Sequence, residues 1–122
     1  SARRSGGPAQ GPPGRVRAYD PPMVRHVALL TFQPNTPRAD LDAVADALRT
    51  LPGRIPELRG YSVDIDLGLA GADGGNADLS IVADVDDVDG YEAYRDHPEH
   101  QRIIAEMIRP ILASRVAVQH ER

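Results

Sequence analysis

A proline stands between two histidines in the segment Tyr94-Arg95-Asp96-His97-Pro98-Glu99-His100, and it divides what would otherwise be one helix. Proline has no N–H to give an interior helical turn but is favoured at the first helical position. One helix is therefore predicted to end near Arg95 and another to begin at Pro98, with Glu99 and His100 in its first turn. Ile103, Ile104, Met107, Ile108, Ile111 and Leu112 follow at helical spacing. His100 precedes the first of these by three residues, so its imidazole is directed along the apolar stripe toward the interior.

The rest of the chain supplies partners for these helices. Val24–Phe32 reads as a central strand with two mostly apolar faces: Val27, Leu29 and Thr31 on one, and His26, Ala28, Leu30 and Phe32 on the other. Thr36-Pro37 is a predicted helix start, with the hydroxyl as cap. Leu41, Val44, Ala45, Leu48 and Leu51 form that helix's apolar face, and Pro52-Gly53 stops it. Tyr61, Val63, Ile65 and Leu67 alternate with polar residues as a half-buried strand, and Leu79, Ile81, Ala83 and Val85 as another. Asp86-Asp87 opens a short helix with Val88, Tyr91 and Tyr94 on one face, and Val116 and Val118 mark a last strand. The order β-α-β-β-α-β predicts an α+β, ferredoxin-like unit: a four-stranded antiparallel sheet with helices on one face. Its other face would be left bare with apolar residues such as Val27 and Leu29, which predicts a homodimer.

At 122 residues the chain suits one core, here residues 23–122. Residues 1–22 are rich in Gly, Pro, Ala and Arg without periodicity and are expected to be disordered. They carry a net charge of +3, and the remainder, with ten Arg and seventeen acids, carries −7. An acidic domain without aromatic stacking platforms argues against nucleic acid. No apolar run approaches the length of a membrane span, and a cytoplasmic location is expected. The absence of cysteine and lysine excludes disulfides, thiol nucleophiles and Schiff bases. No Gly-rich turn between a strand and a helix cradles phosphate, and nothing signals haem, flavin or nucleotide, so no cofactor is expected. The loop Asp73-Gly74-Gly75-Asn76-Ala77-Asp78 lacks the closing glutamate of a calcium loop and is read as a solvated hairpin connection. Arg95, Arg102 and Arg109, spaced by seven, are read as a solvated face with Glu99 and Glu106.

Tyr94, His97, Pro98 and His100 match a Tyr-x-x-His-Pro-x-His pattern. Together with the early strand histidine His26, the Ile55-Pro56 turn and the element order, this resembles the stress-responsive dimeric α/β-barrel (Dabb) family over residues 23 to 121. The resemblance implies that two sheets pair to close a barrel. Plant polyketide cyclases of that family use a Tyr and a His at these motif positions for an aldol-type ring closure, which points to Tyr94 and His100, with His26 at the early strand position. Those enzymes carry bulky aromatics on the first helix and a Trp on the last. Here Val44, Leu48 and Ile111 stand instead, which implies a pocket of different shape.

Two functions follow. The first is a small binding domain, associated with stress response, that encloses an apolar pocket for an aromatic or polyketide-like molecule. The second is a cofactor-free cyclase, isomerase or monooxygenase using a Tyr/His acid–base pair. Burial and the helix N-terminus both favour neutral imidazole at His100, the form a general base needs. Tyr94, His100 and His26 are the catalytic candidates, and Ala28, Leu30, Val44, Leu48, His97, Met107 and Ile111 the ligand-contacting ones. His97 is also read as a cap that fixes the turn. No metal site is assigned, because Pro98 disturbs the spacing of His97 and His100.

Overall fold

The computed structural model describes residues 22–71 and 73–122. The expected disorder of the N-terminal tail concerns residues that lie, but for Pro22, outside this range. Strands β1 (Val24–Phe32), β2 (Gly60–Ile65), β3 (Leu79–Val85) and β4 (Leu112–Glu121) form one antiparallel sheet in the order β2-β3-β1-β4. Helices α1 (Arg38–Leu48), α2 (Val88–Asp96) and α3 (Pro98–Ile103) complete the ferredoxin-like unit. No helix among the described residues is long and apolar enough to cross a membrane.

The period of two along β1 sorts its side chains. His26, Ala28, Leu30 and Phe32 are buried, while Leu29 on the opposite side is 38 % exposed. Leu79, Ile81 and Ala83 of β3 pair with this buried set or lie beside it, and Val44, Ala45 and Leu48 of α1 close over them. Leu51 and Ile55, in the turn after α1, complete an aliphatic core.

The entry to α1 differs from expectation. Pro34 and Asn35 occupy the centre of a turn closed by the Thr36 N–H to the Gln33 carbonyl at 3.2 Å, with Asn35 at φ 66° as a type II turn requires. The Thr36 hydroxyl donates to that same carbonyl at 2.6 Å, so it cannot cap the helix. Pro37 is the cap residue, and its carbonyl accepts from the Asp40 N–H. At α2 the expected start is present: the Asp87 carboxylate accepts the Gly90 N–H at 2.8 Å. Val88, expected on one face with Tyr91 and Tyr94, is 59 % exposed in the first turn of α2, and Leu67 is 82 % exposed because β2 ends at Ile65. In the β2–β3 loop, Asp78 accepts the Phe32 N–H at 2.8 Å and Asp66 accepts from Gly68 and Asn76, so these carboxylates hold the loop.

The last helical segment is not one regular helix. α3 passes into a π turn at Ile104–Ile108 and a 3-10 turn at Arg109–Ile111. Pro110 explains the change, since it supplies no N–H and its ring crowds the preceding turn. A π turn fits an extra residue per turn and rotates the side chains that follow. Ile108 is thereby buried while Met107 and Ile111 are left half-buried at the edge of the core.

Candidate functional site

A cavity of about 460 Å³ lies between the sheet and α2–α3, and His26, Tyr94 and His100 all line it. Each is delivered by a different device. His26 comes from the buried parity of β1. Tyr94 is on the last turn of α2 and is 1 % exposed. His100 is on the first turn of α3, which starts at Pro98 as the sequence requires. The Tyr94 and His100 rings stack with centroids 4.3 Å apart, and the His26 centroid is 6.0 Å from that of Tyr94.

Hydrogen bonds set the tautomers. The His100 Nδ1 lies 3.0 Å from the Arg95 carbonyl oxygen, which can only accept. Nδ1 therefore carries the proton, and Nε2 keeps its lone pair. The Gln119 amide nitrogen lies 2.8 Å from His26 Nδ1, so it donates there and leaves the His26 proton on Nε2. One imidazole thus offers an acceptor and the other a donor. Burial keeps both neutral: it lowers His26 to about 4, with the charge of Arg115 adding to the effect, and lowers His100 against the opposing pull of the Arg95 carbonyl.

Tyr94 sits in an unusual environment. Among the described residues its buried hydroxyl has no hydrogen-bond partner, and neither has the buried hydroxyl of Tyr61, whose ring meets Tyr94 edge-on at 6.1 Å. The two hydroxyls are near enough to act on each other's proton without making a well-aligned bond. Burial pushes the Tyr94 phenol up to about 12, against the influence of Tyr61, and pushes Tyr61 up as well. Tyr94 is therefore a phenol ready to donate, not a phenolate. An orphaned buried hydroxyl costs free energy unless something accepts from it.

Ala28, Leu30 and Leu48 line the cavity, but four expected contacts do not. Val44 lies one turn before Leu48 and is sealed into the core at 1 % exposure. His97 turns its ring away to cap α3, its Nδ1 accepting the Glu99 N–H at 3.1 Å. Met107 and Ile111 are displaced by the π turn, and Ile104 and Ile108 face the cavity instead. The rest of the wall went unread in the sequence: Ile81, Tyr91, Arg95, Gln101, Arg109, Leu112 and Arg115. Arg102 does form the solvated face with Glu99 and Glu106, but Arg95 pairs with Asp96 at 2.8 Å. Alternation along β4 could have indicated Arg115 once the register was known, since it pairs across from Leu30 and so points to the same side. Among the described residues no group of three or more His, Asp or Glu side chains is arranged to hold a metal.

A dimeric ferredoxin-like protein of unknown function from Thermobifida fusca is 44 % identical, with 83 % of this chain and 92 % of that one aligned at a TM-score of 0.74. The hydroxynitrile lyase of Passiflora edulis is 19 % identical over 84 % of this chain and 94 % of its own, with a TM-score of 0.69. A Dabb family protein from Mesorhizobium loti is 14 % identical over 84 % of this chain and 98 % of its own, with a TM-score of 0.68. At such low identity the last two establish the fold alone. Comparison with curated protein sequences gives no match. The model of the stress responsive A/B barrel domain matches residues 24–121, and the chain belongs to that family.

Proposed function

We propose that this chain is a small-molecule-binding member of its family, whose cavity takes a compact, partly apolar molecule of aromatic or polyketide-like character. The convergence of His26, Tyr94 and His100 on one cavity of about 460 Å³ carries the reading. That volume suits a small ligand, and the lining is the mixture ligand sites use: aliphatic walls with a few directed polar groups. A ligand oxygen that accepts from Tyr94 would satisfy a buried hydroxyl that has no partner among the described residues.

The protein works as a homodimer in this proposal. The bare sheet face carries Leu29 at 38 %, Val116 at 62 % and Val118 at 53 % exposure, and a second copy would cover it. The dimeric relative from Thermobifida fusca supports the same assembly. A cytoplasmic setting and a part in stress responses belong to the same proposal.

One observation favours a second reading, catalysis. His100 keeps a free Nε2 beside a stacked, protonated Tyr94. Nε2 would take a proton from a carbon next to a carbonyl while Tyr94 donates to the carbonyl oxygen, the requirement of aldol, isomerase or lyase chemistry. The probe 2,4-dihydroxyacetophenone tests both readings. Titrated into ¹⁵N-labelled protein, it should shift the amides of His26, Tyr94 and His100. Unmoved signals remove the binding reading. In D₂O its methyl protons should exchange faster with the protein than with a His100→Gln variant. Equal rates remove the catalytic reading and leave binding intact.

A further inference from the structure

We propose that the cavity selects an organic carboxylate, with Arg109 and Arg115 gripping the carboxylate at the mouth and the apolar body lying inside. This rests on the cavity being a ligand site and goes on to name the ligand's charge.

Charge is distributed unevenly around the cavity. From residue 23 onward the chain has seventeen acids and ten arginines. Among the described residues the cavity wall reverses that balance, with Arg95, Arg109 and Arg115 and no Asp or Glu. Arg95 is already matched by Asp96 at 2.8 Å. Among the described residues neither Arg109 nor Arg115 takes part in an ion pair, although most other arginines do. Two uncompensated guanidiniums beside an apolar floor create a positive potential, and weak dielectric screening near that floor strengthens it.

The backbone explains how they come to the mouth. β4 pairs with β1 in a continuous ladder up to Leu30↔Arg115 and Thr31↔Ser114, and the register then shifts so that Phe32 faces Leu112. Such a bulge bends a strand and re-aims the side chains beside it. Arg115 shares the side of Leu30, the helix-facing side, but is itself exposed, since none of the helices among the described residues covers β4 there. Arg109 enters from the 3-10 turn that leads into β4. Behind them lie Ala28, Leu30, Leu48, Ile81, Ile104 and Ile108. The cavity is thus amphipathic: exposed guanidiniums on one part of its wall, buried aliphatic side chains on another, and the buried His26, Tyr94 and His100 among them. A neutral ligand would leave the two guanidiniums without use, and a small inorganic anion would leave the apolar base empty. Guanidinium forks match carboxylate geometry in two parallel hydrogen bonds. The charge of Arg115 already acts on His26, Tyr94 and His100, so a carboxylate bound there would be felt by all three.

Isothermal titration of the full chain with 2,4-dihydroxybenzoate and the isosteric neutral 2,4-dihydroxybenzamide tests this. The acid should bind at least about tenfold more tightly, as a charge-assisted pair implies. Arg109→Gln and Arg115→Gln should each remove most of that ratio while leaving the amide's affinity and the melting temperature unchanged. Raising salt should shrink the ratio in the wild type alone. Acid and amide binding equally, or a ratio that survives in the double variant, would overturn the proposal while leaving the pocket a ligand site. Inorganic phosphate competing as well as the acid would overturn the organic part of it. Failure of both probes to bind would remove the ligand site itself.

Discussion

β1 and β4 lie side by side in one ladder, from Val24↔Glu121 to Phe32↔Leu112, yet they live in different environments. On β1, His26, Ala28, Leu30 and Phe32 are at most 5 % exposed beneath the helices. On β4, Arg115, Ala117 and Gln119 look to that same side but are exposed, while Val116 and Val118 face away from the helices. Equal backbone pairing therefore does not give equal burial. The helical layer covers β1 and β3 and leaves β4 open, and that uncovered strip forms the mouth of the cavity. Chemistry is placed on the covered strand, and charge on the open one.

The largest test of this contrast is a pair of truncations. Leu30→Ala removes a buried side chain from β1 and should cost about 2–5 kcal/mol. Val118→Ala on β4 should leave the stability of the isolated subunit nearly unchanged. Urea unfolding at low protein concentration compares them, and equal losses would mean that β4 is covered by something beyond the described residues. Next in size is the effect on assembly. Val118→Glu places a charge on the bare face and should convert dimer to monomer in sedimentation velocity, with the far-ultraviolet circular dichroism unchanged. A variant that remains dimeric would show that the subunits meet through another surface.

A smaller effect concerns pH. Unfolded, His26 protonates near 6.5; folded, it resists until about 4. Between those values the unfolded state holds more protons, so stability should fall as pH drops from about 6.5 toward 4 and then level off, with His100 acting in the same direction. Melting temperatures from pH 8 to 4 should fall less steeply in His26→Gln than in the wild type. Superimposable curves would mean that water entering over β4 solvates the imidazole, and the boundary between the two strands would have to be redrawn. The smallest effect is expected from Tyr94→Phe. Because the hydroxyl has no partner among the described residues, removing it should change stability by less than about 1 kcal/mol. A larger loss in urea unfolding would assign the Tyr94 hydroxyl to holding the core together.

Much of this was written locally in the chain. The alternation in β1, β2 and β3, the aliphatic spacing of α1 and the proline at position 98 each follow from short-range sterics and periodicity, and so did the presence of Tyr94 and His100 on inward faces. Helix continuity after Ile103 did not follow, because the apolar spacing masked the effect of Pro110, and Met107 and Ile111 were assigned to the cavity on a phase that the π turn shifts. Thr36 looked like a cap by type alone, but the turn at Gln33 had prior use for its hydroxyl. The sequence by itself determined the elements, their order and which residues could do chemistry, since those depend on neighbours within a few residues. Only the tertiary structure decided that Arg109 and Arg115 border the same cavity as His26. That placement depends on the register between β1 and β4 and on where the helices stop covering the sheet, and both are set by contacts between residues far apart in the chain.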